Sequence, residues 1–279
     1  MSGPRVVVLG DVMVDVVAVQ AGPLAVGSDT AARISLRPGG SAGNVAAWLA
    51  RAGVPVALVA RVGDDPLADV ALRGLDARHV TRDPDRPTGT CVVLVAPGGE
   101  RTMLPDPGAN DALAPADLPG GLFAPGRILH VSGYALLRAG PRSAALAALD
   151  RAREAGMRIS VDPGSAAPLA ADPAFLDRAR PLDLLLPNED ELAALGDHLN
   201  GVGEVVVKRG AAGARWTDGA TTVEAPAVRL DEVIDTTGAG DAFAAGFLSA
   251  WPERPPAEAL AAGAALAARA VTQAGGRPS

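Results

Sequence analysis

Residues 127–164 read RILHVSGYALLRAGPRSAALAALDRAREAGMRISVDPG. RILHVSG is a short apolar run ending in glycine and reads as a buried strand. PRSAALAALDRAREAG carries alanine and leucine at helical spacing and closes on glycine, so it reads as a helix. MRISVDPG returns to strand. The alternation continues with PAFLDRARP as a short helix, LDLLLPN as a strand, EDELAALGDHL as a helix and EVVVKRG as a strand. Strands separated by helices need crossover connections, which lay the strands parallel in one sheet with helices on its faces. The predicted fold is therefore α/β, a doubly wound and mostly parallel sheet.

Upstream, RVVVLG (5–10) predicts another buried strand, and GNVAAWLARAG (43–53) a helix closed by Gly53. VPVALVARVG (54–63) predicts a strand and 65–78 a helix. Downstream, ARWTDG and ATTVEAPAV predict a hairpin, followed by helices over 240–251 and 256–273. Two stretches, about 12–37 and 88–105, alternate like antiparallel strands and do not fit crossover units. PGGE within the second is a turn signal. Together they are predicted to form a small β lid over one edge of the sheet. No internal repeat or long linker is visible, so one domain over 1–279 plus the lid is expected.

The 279 residues are 48% hydrophobic, 20% charged and only 3% aromatic. A core so poor in rings must use Val, Leu and Ala, which suits parallel strands packed by small-residue helices. The net charge of −7 with no basic block argues against nucleic acid as a partner. The opening MSGPRVVVLGD reaches a charge too soon for a signal peptide or a membrane span. Cys91 is the single cysteine and cannot form an internal disulfide, so a reducing cytoplasm is expected.

Five constellations carry chemistry. DTTGAGDAFAAGF (235–247) joins a Gly-rich turn to an Ala-rich amphipathic run. Small residues let the N–H groups of Gly238, Ala239 and Gly240 approach an anion, and the helix N-terminus adds partial positive charge. Asp241 lies in that first turn, where it would repel a phosphate. A lone acid there merely complements the helix dipole, but two threonines and Asp235 beside it mark a more specific site. GDVMVD (10–15) places Asp11 and Asp15 just past the first strand, where open α/β sheets hold ligands. Either carboxylate suits sugar hydroxyls, and Asp11 reads equally well as a turn cap.

PGGSAGNVA (38–46) offers Gly39, Gly40 and Gly43 for close backbone approach and Asn44 as both donor and acceptor. It is neither GxGxxG nor a Walker sequence. PNEDELAAL (187–195) puts Asn188 and Glu191 on one face of a strand-to-helix junction, which suits a hydrated Mg²⁺. VVVKRGAAG (205–213) ends a strand in Lys208, the one lysine against 24 arginines, followed by Gly210 and Gly213. A cationic tip and a tight loop suit a polyphosphate. His79, His130 and His198 are scattered and read as structural or surface residues, and no GxSxG is present.

GGSAGNVAAWLARAG (39–53) and DTTGAGDAFAAGFL (235–248), with the Asn188-to-Glu191 pattern and the ending AVTQAGGRPS (270–279), resemble the ribokinase-like (PfkB) carbohydrate kinase family. The resemblance covers nearly the whole chain. It implies a doubly wound sheet with a β lid, and transfer of the ATP γ-phosphoryl to a hydroxymethyl group of a small sugar, with Mg²⁺. It implies Asp241 as catalytic base, with the N–H groups of Gly238, Ala239 and Gly240 as anion hole. Asp15, Gly40 and Asn44 would grip the sugar, joined by Asp11, Gly39 and Asn110. Asn188 and Glu191 would position Mg²⁺ and phosphates, while Lys208, Gly210 and Gly213 would line the nucleotide. Asp235, Thr237, Ala270, Gly275 and Ser279 match a monovalent-cation site, for K⁺, in similar kinases.

Met13, Ser41 and Ser132 stand where ribokinases proper have Asn, Lys and Glu toward ribose, which points away from ribose itself. The stretch 261–269 lacks the polar residues that sometimes edge the adenine, leaving the donor nucleotide open. The alternatives are a nucleoside kinase on the same scaffold and a sugar-binding protein without turnover. An oxidoreductase should show GxGxxG after the first strand, where this chain has GDVMVD. Exposed lid edges invite pairing, so a homodimer through the lids is expected.

Overall fold

The run Val6–Leu9 (β1) is wholly buried, as a strand covered by helices on both faces must be. In the computed structural model, which describes residues 3–196 and 199–279, the further strands are β2 (Met13–Gln20), β3 (Ala32–Gly39), β4 (Val56–Gly63), β5 (Val80–Asp83), β6 (Gly89–Val95) and β7 (Arg101–Asp106). They continue with β8 (Ile128–Ser132), β9 (Arg158–Asp162), β10 (Leu182–Leu185), β11 (Val202–Lys208), β12 (Ala214–Thr217) and β13 (Thr222–Ala225). The helices are α1 (Ser41–Arg51), α2 (Pro66–Ala71), α3 (Tyr134–Leu137), α4 (Arg142–Glu154), α5 (Ala166–Ala170), α6 (Phe175–Ala179), α7 (Glu189–Leu195), α8 (Ala239–Ala250) and α9 (Pro256–Val271).

Among the described residues the strands form a nine-stranded sheet, β13-β12-β11-β10-β9-β8-β1-β4-β5, and a four-stranded sheet, β3-β2-β6-β7. The large sheet is parallel from β5 through β11 and closes with the antiparallel pair β12 and β13. Alternation along β1 divides the core. Val6 and Val8 pack with Trp48, Phe247 and Leu260 of α1, α8 and α9. Val7 and Leu9 pack on the other face with Leu136, Leu149 and Phe175.

The small sheet is the predicted lid, with one difference. Its central pair, β2 and β6, is parallel, and only the outer pairs are antiparallel. The predicted helix over 65–78 is shorter, because Gly74 takes a left-handed φ of 76° and turns the chain. β5 and α5 were not predicted. β5 is four residues long and mostly polar, so it carries no periodic signal. Asp197 and His198, at the end of the predicted EDELAALGDHL helix, lie outside the described residues.

Candidate active site

The N-termini of α1 and α8 meet at the carboxyl end of the parallel sheet. Gly238 is the N-cap of α8 with φ 71°, and a Cβ there would come within 2.5 Å of Gly276 Cα. Only glycine fits both the left-handed backbone and that approach. No acceptor among the described residues takes the N–H groups of Gly238 and Gly240. The third member of the expected anion hole differs, since the Ala239 N–H donates to Thr236 O at 3.2 Å. Two backbone donors at a helix N-terminus therefore remain for an anion.

Asp241 lies beside them. Its Oδ1 accepts from Ser41 Oγ at 2.8 Å and its Oδ2 from Asn44 Nδ2 at 2.8 Å, so the first turn of α1 orients it. Burial pushes its pKa up to about 7, reinforced by the Asp162 charge and opposed by the Asn44 and Ser41 hydrogen bonds and by Lys208. A carboxylate poised there is matched to general-base work near neutral pH.

Asn44, expected at the sugar, donates to Asp241. Its Oδ1 accepts from Arg277 Nε at 3.3 Å, and the residue is buried. The Arg277 guanidinium also donates to Gly39 O at 2.7 Å and Ala71 O at 2.6 Å, which pins the Gly-rich loop to the start of α1. Gly40 has φ 85°, and a Cβ there would meet Asp11 O at 2.7 Å. A Cβ on Gly39 would strike the Asp15 carboxylate. Asp15 accepts no hydrogen bond from the described side chains, and burial raises its pKa to about 6, with Arg277 opposing. Of the expected sugar-facing residues it is the one with an open carboxylate.

Two of the expected sugar contacts already have partners within the protein. Asp11 is a cap, because its Oδ2 accepts from Ser41 N and its Oδ1 from Ser132 Oγ, both at 2.8 Å. Asn110 is buried and tied to the backbone. It accepts from Val12 N at 2.9 Å and donates to Val12 O at 3.0 Å and Pro107 O at 2.9 Å.

On the other side of Asp241, Lys208 ends β11. Its Nζ donates to Asp162 Oδ2 at 2.6 Å, and it lies 3.5 Å from where a Cβ on Gly240 would be. Burial favours neutral lysine, yet Asp162, Glu191 and Asp241 together hold the Lys208 pKa above its ordinary value. Asn188 and Glu191 form a capping box at α7. Glu191 N donates to Asn188 Oδ1, while Asn188 N and Nδ2 donate to Glu191, all at 2.8–2.9 Å. Glu191 is buried and its pKa is raised by that burial. Gly210 and Gly213, with φ 54° and 90°, make the tight loop after β11. Thr237 donates its N–H to Asp235, and Ala270 lies at the end of α9.

Sequence reasoning missed Asp162, Ser41, Arg277 and Arg101. Asp162 carried a usable signal, as it ends β9 in SVDPG at the ligand-bearing edge of the sheet. The other three act through partners distant in the chain. His130 is buried in β8 with Nδ1 against Ser160 Oγ, and burial lowers its pKa to about 4, consistent with a structural role.

The pfkB family carbohydrate kinase model matches residues 4–279. A fructokinase of Klebsiella pneumoniae is 35% identical over 273 residues, covering 89% of this chain and 84% of the relative. The structure superposes on a sugar kinase of Rhizobium etli CFN 42, described as probable, with a TM-score of 0.87 and 25% identity over 100% of this chain and 96% of the other. It also superposes on a Vibrio cholerae O395 fructokinase holding fructose, ADP and calcium, with a TM-score of 0.80 and 27% identity over 98% and 94%. The chain belongs to the pfkB family of carbohydrate kinases. It is a phosphotransferase with an alcohol acceptor.

Proposed function

We propose that the protein phosphorylates a hydroxymethyl group of a small neutral sugar with ATP, and that Asp241 is the base. One observation carries this: a carboxylate of pKa about 7 beside two unpartnered helix N–H groups, held by the same loop of residues 39–41 that lies against the open carboxylate of Asp15. Sugar alcohols are poor nucleophiles, so Asp241 takes the hydroxyl proton as the new P–O bond forms and the bond to the leaving diphosphate breaks. The N–H groups of Gly238 and Gly240 receive charge on the transferring phosphoryl. Lys208, held by Asp162, faces the same phosphates, and the Gly210–Gly213 loop lines the nucleotide. The oxygen donors Glu191 and Asp162 suit a Mg²⁺ that keeps its waters. When bound, that ion neutralises phosphate charge.

The acceptor end favours a neutral sugar. Asp15 and Asp241 both face it, while Arg277 is engaged on carbonyls and Asn44, and Arg138 on Asp111 at 2.6 and 3.1 Å. An acidic or phosphorylated sugar would meet the carboxylates of Asp15 and Asp241. A nucleoside is disfavoured because Trp48 is buried under α1 with its Nε1 donating to Gly276 O, and Tyr134 is tied to Gly164 O. Trp48 therefore offers no base-stacking surface. The fructokinase relatives agree with a ketose. ADP release measured over ketoses, aldoses, sugar acids, sugar phosphates and nucleosides tests this. The expected result is a neutral sugar preferred by about 10²-fold or more in kcat/KM, the order set by an unpaired charge at a binding site. Preference for a sugar acid or nucleoside would contradict it.

The lid supports a homodimer, through its face rather than its edges. Ile34, Leu36 and Leu104 are 69, 49 and 55% exposed and share the outer face, by register, with Val16 and Val92. A second copy would cover this apolar patch. Leu36→Glu is expected to give a monomer in sedimentation; an unchanged mass would refute the dimer or its placement. No helix among the described residues is long and apolar enough to cross a membrane, and the acidic chain with its single thiol fits a cytoplasmic enzyme without nucleic-acid partners.

A further inference from the structure

The loop that precedes the anion hole is held by the lid. Arg101, on edge strand β7, places Nη2 2.7 Å from Asp235 Oδ1 and donates from Nη1 to Thr236 Oγ1 at 3.1 Å. Both side chains of the ion pair are about four-fifths buried, with exposures of 21 and 19%. Asp235 Oδ1 also accepts from Thr237 N at 2.7 Å, and its Oδ2 from Gly275 N at 2.9 Å. Every partner of this carboxylate is thus a donor. Arg37 of β3, on the other edge of the lid, donates to Ala274 O at 2.8 Å and grips the neighbouring loop.

These residues do not fit the monovalent-cation site expected from the sequence. Such an ion needs a cage of oxygen ligands. The Gly275 N–H donates to Asp235 Oδ2, so this loop offers the carboxylate a donor. Ser279 Oγ donates to Gln273 Oε1 at 2.9 Å, and the Ala270 carbonyl accepts from Gln273 N at 3.3 Å at the end of α9.

We infer that the Arg101 guanidinium is the cation of this site, so that turnover is independent of monovalent cations. It carries a permanent charge and a planar fork of donors, which matches a carboxylate flanked by a hydroxyl. It acts two residues before Gly238 and therefore sets the turn whose N–H groups face the phosphoryl. Arg101 is a positioning residue, and its role rests on the kinase reading above. Because it comes from the lid, closure of the lid and ordering of the anion-hole turn become one event.

The test compares wild type and Arg101→Ala in KCl, NaCl and choline chloride at equal ionic strength. Turnover of the wild type is expected to be the same in all three. The variant is expected to lose about 10²-fold in kcat, the size of effect from a misplaced catalytic group, with part of it restored by KCl but not by choline. Thermal melting of the sugar- and ATP-free proteins supplies a second readout. KCl should raise the melting temperature of Arg101→Ala over choline chloride and leave the wild type unmoved. Arg101→Lys, which keeps the charge, should retain more activity than Arg101→Ala and stay insensitive to K⁺. Wild-type activation by K⁺, a K⁺-induced rise in wild-type melting temperature, or an Arg101→Ala variant with unchanged turnover would each overturn the inference. The melting readout needs no substrate, so it fails separately from the kinase reading.

Discussion

Replacing Asp241 by Asn should inactivate the enzyme while making it more stable. The amide can keep both hydrogen bonds: its oxygen accepts from Asn44 Nδ2, and its nitrogen donates to Ser41 Oγ, which can rotate to accept. Geometry is thus preserved and only the proton-accepting charge is lost. Turnover should fall by about 10²–10⁴, the range for a general base. The stability change follows from linkage. The Asp241 pKa is 3.8 ordinarily and about 7 in the fold, so charging it in place costs about 4 kcal/mol at 1.36 kcal/mol per pKa unit. The folded state holds this proton more tightly than the unfolded chain, so wild type loses stability as pH rises from about 4 to about 7.

Neutral hydrogen bonds are weaker than those to a carboxylate, which returns part of the gain. The net expectation is about 1–3 kcal/mol at pH 8, or roughly 2–10 °C in melting temperature for a chain of this size. The advantage should vanish at pH 4, where the folded wild type is already protonated. The assays are ADP release and thermal melting at the two pH values. In wild type, kcat/KM should fall with a single proton dependence below about pH 7 as Asp241 becomes protonated. Turnover of the variant within tenfold of wild type, or no stabilisation at pH 8, would refute the reasoning.

Lys208→Met leaves Asp162 buried and unpaired, and should cost about 3–5 kcal/mol in chemical denaturation. Adding Asp162→Asn should recover most of that stability but not nucleotide affinity, which separates the phosphate-facing role from the structural one. Gly238→Ala puts a Cβ into a left-handed position against Gly276. It should cost at least about 1 kcal/mol and lower kcat by about 10², because the anion-hole turn must shift.

The main sheet was legible because each buried strand is a separate apolar run between helical patterns, and burial on both faces leaves that mark in the chain. The lid was legible from alternation, but the parallel pairing of β2 with β6 was not, since two alternating runs look the same in either direction. Within the site, the glycine turns and Asp241 could be read because they are local. The residues that orient Asp241 could not: Ser41 is 200 positions away, and Arg277 reaches Asn44 across 233. The internal partners of Asp11 and Asn110 were not legible, because a polar side chain beside a ligand edge looks the same whether it caps a loop or faces solvent. The partner of Asp235 was hidden for a related reason. Its acidity was visible, but the guanidinium that meets it belongs to the lid.

In the mechanism proposed above, Asp241 activates a hydroxymethyl group for attack on the γ-phosphoryl. Proton-coupled ³¹P NMR of the product formed from ATP and the preferred sugar tests it most directly. Wild type should form a phosphomonoester whose resonance is split into a triplet by the two protons of a CH₂ group, and Asp241→Asn should barely form it. A doublet, which marks a phosphate on a CH carbon such as an anomeric position, or inorganic phosphate as the only product, would contradict it.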